Sequence, residues 1–360
     1  MKHVIVAFLI WRILLFLTAA VSPSVIPQFG ARFPYYQERL IATGLPHFVW
    51  SFGNFDGVHY LGIAKNAYAD QYTQVFFPLY PALIKLVSYL TLGNLLISAL
   101  LISNVASLFA LIIFYKLISQ SHDKKIALWS SLFLLAFPTS FYLGAVYTEG
   151  PFLFMVVSSF YLASRQKVWQ AALVGALASS TRLVGLFLAP FLIVSKKSYI
   201  PLFIIPMGFL LYVLYLAVKF ANPFYFLTAQ SIFGQERSTT SIVLLPQVIF
   251  RYIKIIASTQ GLPQINAVLE LSSVIFVLTL LFLTYKKVKT QWLLFSLSAV
   301  LVPTLTGTFA SMPRYILVAF PMFIVLGSIK NTVYKMLIII TSSFLLILLT
   351  ILFTQGYWVA

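Results

Sequence analysis

The chain has 360 residues, 61% of them hydrophobic and 9% charged, a formal net charge of +17 and no cysteine. A globule of that length cannot cover so much apolar surface with so few polar groups, so composition excludes a soluble single-core protein and points to an all-α polytopic membrane protein. Disulfides, thiolate nucleophiles and Cys-based metal sites are excluded, and the scattered His3, His47, His59 and His122 lack the i, i+4 spacing of a helical zinc site.

At the N-terminus, MKHVIVAFLIWRILLFLTAAVS has the Lys, apolar run and small residues of a secretory signal, but Arg12 interrupts the run, so residues 4–21 read as a retained first membrane helix. Basic clusters then recur between apolar runs: Lys116 with Lys124 and Lys125, Arg165 and Lys167, Lys196 and Lys197, Lys286, Lys287 and Lys289, and Lys330 with Lys335. The positive-inside rule assigns them all to the cytoplasmic face. With Lys2 also inside, residues 22–82 form a long outer loop, followed by spans at 93–118, 126–143, 150–164, 168–181, 184–195, 200–218, 264–285, 290–309, 314–328 and 336–355, eleven segments with the first. The runs 168–181 and 184–195 are too short to cross alone at ~1.5 Å per residue, and they predict half-length helices meeting at Thr181 and Arg182 beside a cavity. No soluble domain is evident, so residues 1–360 read as one integral membrane domain. Its outer loops 22–82 and 219–263, rich in Pro, Tyr and Phe, are expected to carry short interface-lying helices.

In this topology Glu38, Asp56, Asp70, Glu149, Glu236 and Glu270 lie outside and Asp123 alone inside. Asp56 and Glu149 stand in apolar, aromatic surroundings, where an unpaired carboxylate costs several kcal/mol and so needs a partner or a task. Arg12 falls near mid-membrane, which requires it to face the interior, a cavity or a thinned bilayer. The net charge does not indicate nucleic acid, because the lysines cluster in cytoplasmic loops, where topology and anionic lipid account for them.

Five stretches occur in a telling order: FDGVHYLGIA (55–64), FFPLYP (76–81), FPTSFYLGAVYTEG (137–150), ALASSTRLVGL (176–186) and SMPRYILVAFP (311–321). With the retained first helix and the early Asp of the long first loop, the chain resembles the GT-C class of polyprenyl-phosphate-sugar glycosyltransferases. Within that class it looks like the family of the second GPI mannosyltransferase, the PIG-V type, and its prokaryotic relatives, from residue 11 to about 321. The resemblance implies a GT-C-type bundle and transfer of a mannosyl or similar hexosyl group from a polyprenyl-phosphate donor to a lipid or glycan acceptor. The reaction would run at the outer face of a plasma membrane in a prokaryote, or the luminal face of the endoplasmic reticulum in a eukaryote. The family's first-loop acid falls on Asp56, followed by His59 and Tyr60, while its usual preceding Trp is Phe55 here.

The chemistry follows from the residues as well. Transfer to a hydroxyl needs a base, and a carboxylate near the membrane surface suits it, so Asp56 is the candidate; in-line displacement would invert the anomeric centre. Asp56 can equally cap a short helix starting at Gly57. Arg182 and Arg314, at outer helix ends, are placed to hold the leaving phosphate or simply to snorkel, with Lys65 and Lys85 as substitutes. His59, three residues past Asp56, shares its helix face and can tune it or donate to the phosphate. Glu149 orients the acceptor or pairs with an arginine, with Tyr60 and Tyr147 as further substrate-side candidates. No cofactor is required, although a divalent cation between Asp56 and Glu149 is an alternative. A transporter or flippase for a lipid-linked or small solute, or an inactive GT-C-like subunit, are the competing functions; the one-sided placement of the acids favours surface chemistry.

Overall fold

The computed structural model describes residues 1–192, 199–231, 237–238 and 241–359. Among the described residues every regular element is helical. This is the expected solution in lipid, where a helix satisfies its own backbone groups. The helices of ten residues or more are α1 (Lys2–Val25), α2 (Asp56–Asn66), α3 (Leu79–Ser88), α4 (Leu95–Ile118), α5 (Lys124–Ala136), α6 (Glu149–Ser164), α7 (Val168–Ser179), α8 (Ile205–Phe220), α9 (Leu245–Ser258), α10 (Leu262–Thr284), α11 (Thr290–Thr304) and α12 (Thr332–Thr354). Lys196, Lys197 and Glu236, the end of the 184–195 segment and part of the 219–263 loop lie outside the described residues.

Among the described residues, five of the eleven expected segments are helical runs long and apolar enough to cross a membrane: α1, α4, the run Ile200–Phe220 that ends in α8, α10 and α12. The chain is an integral membrane protein, and these runs turn large apolar side chains such as Phe203, Val218 and Phe282 outward. The remaining segments are shorter or broken. In place of a span at 126–143 stands α5, 13 residues long, or ~20 Å at 1.5 Å per residue. It stops before Pro138, and a 3-10 turn at Ser140–Leu143 follows. In place of a span at 314–328 are the short helices Met312–Tyr315, Ile316–Val318 and Pro321–Gly327. Residues 139–148 and 307–314 are buried throughout. Irregular backbone in a membrane protein survives only under such cover.

The chain divides into two compact units. The first comprises Met1–Asp70, Pro78–Tyr161 and Leu326–Val359. In it α1 packs on α4, α5 and α12, and α3 on α4. Its buried irregular stretch is held by side chains: Trp11 Nε1 donates to Ser140 Oγ at 3.1 Å, Ser107 Oγ to the Leu143 carbonyl at 2.6 Å and Ser103 Oγ to the Tyr147 carbonyl at 3.2 Å. Arg12 is buried, as its mid-helix position requires, with its guanidinium over the rings of Phe16 and Phe52 at 3.9 and 4.5 Å.

The second unit comprises Gln71–Phe77 and Leu162–Val325. Here α7 and α8 pack together, and Ser179 Oγ donates to the Ile205 carbonyl at 2.6 Å. The expected break is present: α7 ends at Ser179, Ser180 and Thr181 turn their hydroxyls onto the Leu177 carbonyl at 2.8 Å each, and Arg182 is extended. Beyond it the chain folds back so closely that a Cβ on Gly185 would lie 2.6 Å from the Ala178 carbonyl oxygen. The turn at 305–311 is gripped from several sides: Arg251 Nη1 donates to the Gly307 carbonyl at 2.8 Å and Arg237 Nη2 to the Ala310 carbonyl at 3.0 Å.

Candidate functional site

In the first unit, Asp56 is the first residue of α2 rather than its cap; Phe55 holds the cap position, one residue earlier than a helix starting at Gly57 requires. Phe55 adopts φ 59° and ψ −114°, a conformation suited to glycine. For a phenylalanine it costs of order 1–3 kcal/mol, and such strain persists only where surrounding contacts impose it. Those contacts are on both sides. The Phe55 ring packs on Phe33, Trp358 and Phe353 at 4.8, 5.1 and 5.8 Å. Asn54 Nδ2 donates to the Phe353 carbonyl at 2.9 Å. The Tyr147 hydroxyl donates to the Asn54 carbonyl at 3.0 Å and accepts the Asp56 backbone N–H at 3.3 Å. The backbone N–H of Val146 donates to the Phe52 carbonyl at 2.9 Å. Residues 52–56 are thereby strapped to 146–147 and to the end of α12, with the Asp56 side chain left half-buried.

His59 lies one turn along α2. It feels the charges of Asp56, Arg39 and Asp70, and burial, the largest effect, depresses its pKa below the ordinary 6.5. Arg39 is tied to Asp70 at 2.7 Å and donates to the Val58 carbonyl at 3.0 Å, its guanidinium over Tyr35 at 4.0 Å. This ion pair beside His59 was not read from the sequence, which placed Asp70 on the outer side and gave it no partner. Tyr60, one turn further along the helix from Asp56, is buried, 7% exposed and edge-on to Tyr80 at 5.1 Å. Glu149, 3% exposed at the start of α6, belongs to the same buried polar cluster, since its charge and Tyr60 both act on the Tyr80 hydroxyl. That hydroxyl in turn meets Ser103 Oγ at 2.7 Å.

Arg182 and Arg314 belong to the second unit, which brings them to one ring: the Arg182 guanidinium lies 5.2 Å and that of Arg314 5.1 Å from the Tyr315 centroid. Arg182 projects from the break after α7, whereas Arg314, 6% exposed, follows the strained Ser311 (φ 70°) and donates from Nη2 to Ser311 Oγ at 3.2 Å. Ser311 is held through its turn. The buried Glu270 accepts from the Tyr252 hydroxyl and faces the Ser311 backbone N–H, while the Tyr252 hydroxyl accepts the Phe309 N–H at 3.0 Å. Sequence reasoning treated Glu270 as an outer acid without a task; the only hint of its place was an acid set inside an apolar run. Tyr315 was overlooked as well, although it directly follows Arg314 in SMPRY.

The family model described as Mannosyltransferase (PIG-V) matches residues 1–205, more than half of the chain. The chain belongs to this PIG-V mannosyltransferase family. The match contains Asp56, His59, Tyr60, Tyr147, Glu149 and Arg182 and ends before Arg314. No curated protein matches the chain. Family membership makes the protein a membrane glycosyltransferase of the mannosyl-transferring kind. Four of the five stretches that carried the resemblance fall inside the match. Each of them coincides with a feature out of the ordinary in the fold: the strained entry to α2, the start of α3, the buried stretch before α6, and the break after α7.

Proposed function

We propose that the chain transfers a mannosyl group from a polyprenyl-phosphate-mannose donor to a hydroxyl of a lipid or glycan acceptor at the outer or luminal membrane face, with inversion and with Asp56 as base. The Asp56 carboxylate takes the hydroxyl proton as the acceptor oxygen bonds to the anomeric carbon. The bond from that carbon to the phosphate oxygen breaks, and the phosphate leaves with the electron pair. Arg182 and Arg314 meet the charge gained by the phosphate: two guanidiniums around one aromatic ring form a fixed positive locus of the kind that stabilises a leaving anion. The step needs no metal.

The observation that carries this reading is the strap around Asp56. A strained Phe55, a tyrosine hydroxyl on the Asp56 N–H and an asparagine tied to α12 fix the backbone that carries the half-buried Asp56. A mere cap does not require strain, and strain of this kind collects at functional sites. Buried as they are, Tyr147, Tyr60 and Glu149 act in this reading by positioning Asp56 and the core beneath it rather than by touching sugar.

The test is mannosyl transfer by purified protein from radiolabelled polyprenyl-phosphate-mannose into host lipid and glycan extracts, wild type beside Asp56→Asn. Loss of a general base lowers the rate by about 10²–10⁴. Transfer unaffected by Asp56→Asn removes the base role, and no transfer by folded wild type from any lipid-phosphate donor removes the donor assignment.

A further inference from the structure

A cleft of about 680 Å³ opens in the first unit between the far end of α2, α3 and the turn into α4, and nothing in the proposed chemistry uses it. Its polar lining is Glu38, Arg39, Lys65, Lys85, Ser88 and Asn94, with Thr43. Three cations therefore face one carboxylate, and since Arg39 is already bound to Asp70, the surplus charge rests on the exposed Lys65 and Lys85. Both side chains carry an ammonium on a long apolar stem, able to hold a headgroup while the stem lies along hydrocarbon.

Two of its lining residues, Tyr89 and Leu92, form with their chain neighbours Leu86 and Leu90 an apolar and bare surface. Leu86, Tyr89 and Leu90 are largely exposed, and Leu92 is 100% exposed. Leu92 also has φ 53°, a left-handed conformation that a leucine adopts only at a cost. Unlike Phe55, whose ring is packed by Phe33 and Trp358, Leu92 touches little of the protein. Leucine and tyrosine at a turn beside an amphipathic helix belong at the boundary between headgroups and acyl chains. A cationic cleft joined to an apolar finger is complementary to an amphiphile with a negative head. A free anion would use only the lysines and leave the finger without a role.

We propose that this cleft binds the anionic headgroup of a membrane lipid, with Lys65 and Lys85 on its phosphate and Leu90 and Leu92 among its acyl chains. The readout is lipid retention rather than activity.

The experiment uses the full chain in mild detergent, with phosphatidylglycerol and phosphatidylcholine of matched acyl chains offered in competition and bound lipid counted by native mass spectrometry. Wild type is expected to retain phosphatidylglycerol in preference. Lys65→Gln with Lys85→Gln is expected to weaken that retention about fivefold for each lysine removed, while Lys124→Gln with Lys125→Gln leaves it intact. Leu92→Ser, an exposed change that does not touch the charges, is expected to lower retention of both lipids and guards against misfolding of the lysine pair. Retention unchanged in Lys65→Gln with Lys85→Gln, or lost equally in the Lys124 and Lys125 pair, overturns the site. Displacement of bound phosphatidylglycerol by millimolar inorganic phosphate overturns its assignment to a lipid.

Discussion

Removing one oxygen atom tests the strap. In Tyr147→Phe the ring stays in a site where the wild-type residue is 1% exposed, so no cavity of consequence opens, but the bonds to the Asn54 carbonyl and the Asp56 N–H are lost. An unsatisfied buried polar group costs about 1–3 kcal/mol. The Asn54 carbonyl keeps a long bond from the Gly57 N–H at 3.4 Å, and the Asp56 N–H, in the first turn of a helix and half-buried, can be met by water. The total therefore falls toward the lower end, about 1–2 kcal/mol. A loss of that size, felt as looser placement of the Asp56 carboxylate, lowers kcat by about tenfold with KM unchanged. The assay is mannosyl transfer under saturating donor together with thermal unfolding in detergent, with Tyr212→Phe as control. Its hydroxyl donates to the Gln74 carbonyl at 2.6 Å in the second unit, so it should cost comparable stability without the kcat effect. Equal kcat losses in both variants, or a Tyr147→Phe that is less stable yet fully active, would refute the argument that Tyr147 aims the base.

Replacing Arg182 or Arg314 by Lys keeps the charge but removes the planar fork and its stacking on Tyr315, and is expected to lower kcat/KM by about tenfold or more in donor titrations. Ala67, just past α2, has φ 53° and ψ −148° and loses only a methyl group in Ala67→Gly, so this variant is expected to gain about 1 kcal/mol of stability, read as a raised unfolding midpoint. His59 is held below its ordinary pKa of 6.5 by burial. The unfolded chain therefore binds a proton that the folded chain refuses, and stability, complete above pH 6.5, declines as the pH falls through that value toward the folded pKa. The same direction holds for His47, also depressed by burial, so His59→Gln should flatten the slope of unfolding midpoint against pH between 5 and 7 without abolishing it; an unchanged slope would show that His59 is not the group responsible.

What the sequence disclosed and what it concealed divide along one physical line. The first helix, the start of a helix at FDG and the break at Thr181–Arg182 were legible because their signals are local: an apolar run, an acid before a glycine, and two successive apolar runs each too short to cross. The expected spans at 126–143 and 314–328 differ from the fold because hydropathy reads the same for a helix facing lipid and for irregular backbone buried in protein. Only Pro138, Pro313 and Pro321 hinted at the interruption. Partners distant in sequence were hidden altogether. Tyr147 was noticed in the right motif, but its hold on Asp56, 91 positions away, could not be seen, nor could the pairing of Glu270 with Tyr252. Strain at Phe55 and Ser311 was equally invisible, because neither residue is the glycine that such a conformation advertises.

Those two strained positions share a construction. Each directly or closely precedes an expected functional side chain, Asp56 in one unit and Arg314 in the other, and each lies in a turn whose backbone is met by a buried tyrosine hydroxyl. Tyr147 takes the Asp56 N–H and gives to the Asn54 carbonyl; Tyr252 takes the Phe309 N–H and gives to Glu270, which faces the Ser311 N–H. The reason lies in the solvent. In water a tight turn can leave all its backbone groups to be hydrated, whereas the buried groups of these turns, the Asn54 carbonyl and the Phe309 N–H among them, are met by protein. A phenol suits the task because one group both donates and accepts, on a ring that packs like a core residue. Had these turns served only to connect helices, unstrained turns with glycine would have done so without a dedicated partner. That strain and a tyrosine are found together, twice, beside the one candidate base and one of the candidate phosphate ligands, is the physical reason for reading both places as aimed.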